Sequence, residues 1–147
     1  MPFYDRFEMV EEAKSWRDHL PLRYKYSLGL AGEKFSKGLL EGKLLCSVCS
    51  NCNNKCLPPS IYCHECFREV SDYAEIEPTG EIYSVTEKGD ELIVVIKFRG
   101  VQGSLIHWLK TPTAGKVRIG QKVTAVFKPL NQRVGDITDI DHFELSS

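Results

Sequence analysis

The sequence has 147 residues, of which 42% are hydrophobic, and a formal net charge of −1. This length suits one ordinary domain or two small ones, and the near-neutral charge argues against a dedicated nucleic-acid binder, which usually carries a basic excess. No apolar run approaches the roughly 20 residues of a membrane span, and residues 1–12 lack the apolar core of a signal peptide. We therefore expect a cytoplasmic protein that does not enter the membrane.

Helical spacing of apolar residues dominates the first 42 positions. The apolar positions of a first helix run up to Pro21 and are Phe3, Phe7, Val10, Ala13 and Leu20. A second helix is predicted over residues 22–40, with Leu28, Ala31, Phe35 and Leu39 on one stripe and Gly42 as its end. Its three internal glycines each cost up to about 1 kcal/mol relative to alanine, so they indicate a bend or a close packing contact.

All six cysteines follow within residues 46–66, in the pattern Cys46-x2-Cys49-x2-Cys52-x3-Cys56-x6-Cys63-x2-Cys66. Two Cys-x2-Cys pairs about ten residues apart are typical of a tetrahedral thiolate site, and four thiolates leave no coordination position open for water. The sequence therefore predicts a structural zinc ion in a zinc ribbon, with Cys46 and Cys56 left over. The predicted ligands are Cys49, Cys52, Cys63 and Cys66. Asn53 follows the first pair, where the ribbon favours a residue that tolerates a positive φ.

Two other arrangements of the same cysteines remain open. The first four cysteines match the spacing of a bacterial ferredoxin run, although Leu57 rather than a proline follows and no second run exists. Disulfides are disfavoured because clustered cysteines in an unsecreted chain usually bind metals. The zinc interpretation predicts a colourless protein with about one zinc ion per chain, whereas an iron–sulfur cluster would make the protein brown.

From residue 75 onward the apolar pattern changes to the two-residue period of β-strands. Five short strands are predicted, over residues 81–86, 91–99, 104–109, 122–127 and 136–145. Turn residues at 88–90 and 100–103 indicate hairpins, and a longer connection follows the third strand. This arrangement is typical of a small Greek-key barrel of the OB type, with another five-stranded barrel or a sandwich as the alternative. The predicted fold class is α+β, with helices in residues 1–43, the zinc ribbon in 44–70 and a five-stranded OB-fold β-barrel in 71–147.

No catalytic arrangement is evident in the sequence. His19, His64, His107 and His142 are scattered, and neither an H-E-x-x-H nor a G-x-S-x-G pattern occurs. His64 lies inside the second cysteine pair, but Cys63 and Cys66 already complete that half of the metal site. Neither left-over cysteine has an evident base or cation partner in the sequence. We therefore expect that the protein is not an enzyme.

The order of N-terminal helices, four-cysteine ribbon and OB-like barrel resembles an archaeal and bacterial family of zinc-ribbon/OB-fold proteins. Members of this family accompany thiolases and related acyl-CoA enzymes, and the resemblance extends over nearly the whole chain. It is carried by residues 42–45 ahead of the first cysteine pair, Pro58-Pro59 ahead of the second, and residues 78–86 and 117–123. The family often has Gly after the first pair and Pro within the second, where this chain has Asn53 and His64.

This resemblance implies a non-catalytic accessory or scaffold protein that associates with a thiolase or related acyl-CoA enzyme and binds acyl-CoA. A crevice with a few cations could hold the CoA phosphates, while the helical segment closes over the pantetheine arm. The candidate phosphate partners are Arg17, Arg23, Lys25, Lys97, Arg99 and Arg118. Each of them, taken singly, is more often a solvated surface charge.

A module that binds single-stranded RNA or DNA is the alternative, because OB folds and zinc ribbons commonly serve that function. Aromatic residues such as Tyr83, Phe98, Trp108 and Phe127 could stack on bases. At a two-residue period, however, aromatic residues usually belong to the core. The nine Lys/Arg residues after position 73 are also balanced by ten Asp/Glu, so the charge that such binding needs is missing.

Overall fold

One α-helix and nine β-strands make up most of the chain that the computed structural model describes, namely residue 23, residues 25–112 and residues 117–146. In chain order they are α1 (Gly29–Glu41), β1 (Leu44–Val48), β2 (Lys55–Leu57), β3 (Asp72–Ile76), β4 (Thr79–Lys88), β5 (Glu91–Lys97), β6 (Gln102–Gly103), β7 (Leu105–Lys110), β8 (Lys122–Phe127) and β9 (Ile140–Leu145). No helix among these residues is long and apolar enough to cross a membrane. The first predicted helix, over residues 3–20, lies outside the described residues.

Helix α1 is shorter than the helix predicted over residues 22–40, because it begins only at Gly29. Gly29 has a φ of 65°, a left-handed conformation that a right-handed helix cannot continue through, and residues 25–28 are not helical. At the other end the prediction is confirmed. Gly42 has a φ of 78°, and its N–H donates a hydrogen bond of 2.9 Å to the carbonyl of Leu39.

The apolar stripe predicted for this helix is confirmed except at Leu28. Ala31 and Leu39 are buried and Phe35 packs against the main core, whereas Leu28 is 65% exposed because it precedes the helix. Close packing explains the glycine at one of the three internal positions, Gly38. A β-carbon at that position would lie 2.7 Å from Cγ of Leu45, so the helix approaches β1 more closely than a larger residue would allow.

Strands β1, β2 and β3 carry or flank the cysteines and belong to a four-stranded sheet in the order β3-β1-β2-β6. Strand β1 is antiparallel to β2 and β3, whereas β2 is parallel to β6 and pairs Leu57 with Gly103. Strand β6 was not predicted, because residues 100–103 have the composition of a simple turn. Since it lies between β5 and β7, it joins the cysteine region to the barrel.

The remaining five strands close into a barrel in the order β4-β5-β7-β9-β8. Neighbouring strands are antiparallel except β7 and β9, which pair in parallel at Leu109 and Phe143. This confirms the OB-like arrangement predicted from the strand pattern. The buried side chains inside the barrel are Ile82, Leu92, Val94, Ile96, Leu105, Leu109, Val123, Ala125, Ile140 and Phe143, and their cluster continues into Leu39, Leu44, Cys46 and Leu57.

The last strand is shorter than the one predicted over residues 136–145, because residues 137–139 form a 3₁₀ turn (Ile137–Asp139). Asp136 begins this turn, and its carboxylate accepts a hydrogen bond of 2.7 Å from the N–H of Thr138. Asp139 is completely buried and accepts hydrogen bonds from the N–H groups of Val134 and Gly135 at 2.8 and 2.7 Å. Its side chain therefore stabilises the loop that leads into β9.

The stability of the barrel is expected to fall in acid through His107. This residue of β7 faces the core, its Nε2 lies 3.3 Å from the carbonyl oxygen of Ile137, and its buried Nδ1 has no hydrogen-bond partner among the described residues. Burial lowers the pKa of His107 below its usual value of 6.5. Because the unfolded chain takes up this proton more readily than the folded one, the free energy of unfolding should decrease as the pH falls through about 6.5.

This expectation is tested by urea denaturation of the wild type and of His107→Leu between neutral and mildly acidic pH. The variant should lose part of the pH dependence, whatever its stability at neutral pH. Identical slopes for the two proteins would show that His107 does not contribute to the acid sensitivity.

Candidate metal centre and ligand site

Two similar turns of the backbone present the four cysteines of the Cys-x2-Cys pairs. In the first turn, the N–H of Asn53 donates to the carbonyl of Cys49 at 2.8 Å, and in the second the N–H of Phe67 donates to the carbonyl of Cys63 at 3.0 Å. Asn53 and Phe67 both have a φ of 57°. The first of these left-handed residues was predicted; the second was not, because phenylalanine rarely adopts that conformation.

The sulfur atoms of Cys49, Cys52, Cys63 and Cys66 all lie within 4.8 Å of one another and can hold a metal ion. The Cys49–Cys66 and Cys52–Cys63 sulfur pairs are each 3.5 Å apart. A tetrahedral zinc ion with bonds of about 2.3 Å needs sulfurs about 3.8 Å apart, so a small outward movement would suffice. The chemistry and spacing of this donor set therefore fit a divalent metal with four thiolate ligands.

Backbone N–H groups favour ionised sulfur at this site. The N–H of Cys66 lowers the pKa of the Cys63 thiol to about 6, and the N–H of Cys52 lowers that of Cys49. The N–H of Asn54 acts in the same direction on Cys52, but the contacts with the sulfurs of Cys63, Cys49 and Cys66 together outweigh it and raise the pKa of Cys52, which is exposed, to about 12. Four thiolates this close together repel one another, so their full ionisation requires a cation between them.

The two left-over cysteines lie outside this group of four sulfurs. Cys46 and Cys56 are buried, and burial raises the pKa of both thiols. The group of four sulfurs comes from the two Cys-x2-Cys pairs. It therefore shares only Cys49 and Cys52 with the ferredoxin-like run of residues 46–56. The structure does bring a histidine close to Cys56, with Nδ1 of His64 at 3.9 Å from its sulfur, but a buried thiol with a raised pKa is a poor nucleophile.

A side-chain contact that the sequence did not indicate connects the cysteine region with the barrel. The amide of Asn54 donates to Oε1 of Gln102 in β6 at 3.0 Å and also points toward the Cys63 sulfur at 3.8 Å. The amide of Gln102 in turn donates to the carboxylate of Glu65. Hydrogen bonds of this kind orient metal ligands, so β6 helps to position the second cysteine pair.

Two of the six predicted phosphate partners meet at one end of the barrel. Lys97 and Arg99 line a cavity of about 200 Å³ together with Lys122, which the sequence analysis missed, and with Glu77 and Glu81. The lysine brought in by β8 is adjacent because Glu81 pairs with both Lys97 and Lys122 across the sheet. The cavity therefore combines three cations with two carboxylates.

The other predicted partners do not line this cavity. Arg17 lies outside the described residues, and Arg23 and Lys25 are exposed in the segment ahead of α1. Arg118 is exposed in the connection that leads into β8, where its backbone N–H donates to Oε1 of Gln121 at 2.7 Å. Next to the cavity, Nζ of Lys97 lies 3.7 Å from the centre of the Tyr83 ring.

Scans against protein-family models and against curated proteins gave no match for this chain. Among solved structures, one match is a crystal structure of a protein of unknown function from the DUF35 family of Sulfolobus solfataricus. It is 24% identical, with 80% of this chain aligned to 84% of that one and a TM-score of 0.60. This chain has the fold of a DUF35 protein. A second match is the Ltp2–ChsH2(DUF35) aldolase, at 16% identity and a TM-score of 0.60, with 75% of this chain aligned to 93% of that one.

The DUF35 fold confirms the architecture that the family resemblance implied for this chain. A helix, a four-cysteine region and an OB-like barrel follow one another in this order. At these identities the likeness concerns the fold. The second matching structure is nevertheless one in which a DUF35 chain is part of an aldolase.

Proposed function

We propose that this chain is a non-catalytic accessory protein that binds acyl-CoA and associates with a thiolase or a related acyl-CoA enzyme. The cationic cavity formed by Lys97, Arg99 and Lys122 at one end of the barrel is the observation that carries the proposal. The fold shared with a DUF35 chain of an aldolase supports the association with an enzyme. The proposal divides the chain into three parts: a helical segment in residues 1–43, the zinc ribbon in residues 44–70 and the ligand-binding barrel in residues 71–147.

The metal in the proposal is zinc, bound by Cys49, Cys52, Cys63 and Cys66. A closed set of four sulfurs suits a structural zinc ion, which holds the two turns together and takes no part in a reaction. An iron–sulfur cluster built on the run of residues 46–56 is less compatible with the position of Cys46, which is buried in the main core. Metal analysis of the purified protein distinguishes the two.

The cavity at the barrel end suits the phosphates of CoA rather than its acyl chain. Arg99 can form paired hydrogen bonds with a phosphate, and Lys97 and Lys122 add positive charge beside it. Tyr83 is 57% exposed beneath Lys97 and offers a ring on which adenine could stack. Glu77 and Glu81 limit the net charge, so we expect moderate and salt-dependent affinity.

The test is titration calorimetry with CoA, dephospho-CoA and acetyl-CoA at low ionic strength. Because a hydrogen bond to a charged group contributes about 1.5–3 kcal/mol, Arg99→Glu should weaken CoA binding by at least about tenfold. Lys34→Glu, which makes the same charge change on the exposed side of α1, is the matched control and should bind CoA as the wild type does. Equal affinities of the wild type, Arg99→Glu and Lys34→Glu for CoA would contradict a phosphate site at this cavity.

One observation favours the nucleic-acid alternative, namely the exposure of two of the four predicted stacking residues. Tyr83 and Trp108 are 57% and 38% exposed, whereas Phe98 is buried and Phe127 is half-buried beneath Arg133. Salt-sensitive binding to a single-stranded oligonucleotide that Trp108→Ala abolishes would support this function. The balanced charge of the chain makes acyl-CoA binding the better-supported proposal.

A further inference from the structure

The outer surface of the barrel carries an apolar area that the described part of the chain leaves partly exposed. Strand β5 contains five consecutive apolar residues, Leu92-Ile93-Val94-Val95-Ile96, and only Leu92, Val94 and Ile96 point into the core. Ile93 and Val95 point outward and, within the described chain, do not pack against the core cluster. A continuous apolar run is typical of strands covered on both faces, whereas a solvated outer face usually shows polar residues at alternate positions.

The neighbouring strand continues this apolar area instead of shielding it. In the register of β5 and β7, Ile93 lies opposite Trp108, and Val95 lies opposite Ile106. Ile106 and Trp108 are 66% and 38% exposed, although their neighbours Leu105, His107 and Leu109 are buried. We refer to Ile93, Val95, Ile106 and Trp108 as the outer face. On β4, the residues opposite it are Ser84 and Thr86, so it has a polar border on that side.

Carboxylates lie at the Trp108 end of the outer face. A cavity of about 320 Å³ is lined by Trp108, Asp90, Glu91, Lys110 and Asp141, among others. Lys110 pairs with Asp141 at 2.8 Å, whereas Asp90 and Glu91 form no ion pair within the described chain. An indole wall beside two unpaired carboxylates suits a cationic side chain, which the ring face and the carboxylates both attract. This end therefore differs from the opposite end of the barrel, where Lys97, Arg99 and Lys122 suit an anion.

We propose that the outer face is the docking surface for the acyl-CoA enzyme, and that this enzyme inserts an arginine or lysine side chain into the cavity beside Trp108. The inference rests on the proposed function for the identity of the partner. Its geometry matches the usual anatomy of a protein interface, with an apolar centre, an aromatic anchor and a polar border. The CoA cavity at the other end of β5 remains accessible in this arrangement, so one chain could bind ligand and enzyme together.

The experiment uses the acyl-CoA enzyme that copurifies with the full-length chain from its own cells, and measures the dissociation constant of the two purified proteins by calorimetry. Ile106→Asp should weaken binding at least roughly thirtyfold, the effect expected for an interface hot spot. Leu130→Asp is the matched control, because Leu130 is similarly exposed at 72% but lies in the loop between β8 and β9 and is not one of the four residues of the outer face. This variant should bind within about threefold of the wild type. Asp90→Lys should also weaken binding, through repulsion of the partner's cation.

Three outcomes decide between the possibilities. If Ile106→Asp binds the enzyme as tightly as Leu130→Asp does, the outer face is not the interface and the inference fails, while the proposed function stands. If the wild type dimerises and Ile106→Asp is monomeric, a second copy of the chain covers this face, which also overturns the inference. If no acyl-CoA enzyme binds the wild type, the proposed partner is wrong and the inference falls with it.

A second variant guards against misfolding of the aspartate substitution. The double variant Val95→Thr and Ile106→Thr keeps two β-branched residues in the strands while it removes apolar surface. It should retain the wild-type metal content and far-UV circular dichroism and still bind the enzyme more weakly than Leu130→Asp. Unchanged affinity in this folded variant would overturn the inference.

Discussion

Replacing one cysteine of the four-sulfur group, as in Cys63→Ala, should abolish metal binding and unfold the ribbon while the barrel stays folded. Cys49, Cys63 and Val70 form a small buried cluster of their own, separate from the main core. So small a cluster cannot hold residues 49–70 by apolar burial alone, and structural zinc supplies about 10–16 kcal/mol in zinc-finger peptides. We expect the zinc content to fall from about one per chain to near zero, and proteolysis to cut first within the ribbon.

Cys56→Ala is the matched control for this prediction. Cys56 lies on β2 and is about as buried as Cys63, but its sulfur is outside the group of four. This variant should keep its zinc and lose only the stability expected for a small cavity. Substitution of cobalt should give the same thiolate spectrum in Cys56→Ala as in the wild type and none in Cys63→Ala. Loss of metal from both variants, or visible absorption from iron in the purified wild type, would contradict the zinc site.

Gly103→Ala is expected to cause the second-largest change, a loss of stability. The substitution pushes β6 away from β2, and this pairing joins the cysteine region to the barrel. Gly103 has a φ of 92°, and a methyl group there would overlap the carbonyl oxygen of Leu57, its partner across β2 and β6. The left-handed conformation alone costs an alanine about 1–2 kcal/mol. Displacement of β6 should also break the hydrogen bond between Asn54 and Gln102, so we expect a total loss of about 3 kcal/mol or more in chemical denaturation.

Gly100→Ala separates the cost of the left-handed conformation from the cost of displacing β6. Gly100 also has a positive φ, of 70°, but a β-carbon there would contact nothing within 4 Å. It should therefore show the conformational cost without the displacement of β6, and lose about 1–2 kcal/mol. Equal losses for Gly100→Ala and Gly103→Ala would mean that the pairing of β2 with β6 contributes little to stability.

Where the chemistry is local, the sequence predicted the structure well. The spacing of the cysteines fixes which sulfurs can share a metal ion, since each Cys-x2-Cys turn places its own two side chains on one side. The alternating residues of β5, β7 and β8 likewise identify the barrel's inner positions, because side chains of a strand alternate between its two faces. The same alternation also marks Ile93 and Val95 as outward-facing and apolar.

Predictions that needed contacts between distant segments were incomplete. Nothing in residues 100–103 indicates that β6 pairs with β2, because that pairing joins residues 46 positions apart, such as Leu57 and Gly103. The burial of Asp139 depends on two backbone N–H groups of the preceding loop, which a hydrophobicity pattern cannot show. Lys122 was missed as a neighbour of Lys97 for the same reason, since only the closure of β4 against β8 brings the two together.

The sequence by itself therefore determined which four cysteines lie together, the end of α1 at Gly42 and the OB-like order of strands. Each of these depends on the spacing of a few residues or on the period of side chains along one element. Only the tertiary structure decided which cations share a cavity, that both spare cysteines are buried, and which apolar residues of the barrel the described part of the chain leaves exposed or half-exposed. Those properties arise from strand register and barrel closure, which place residues side by side that are far apart along the chain.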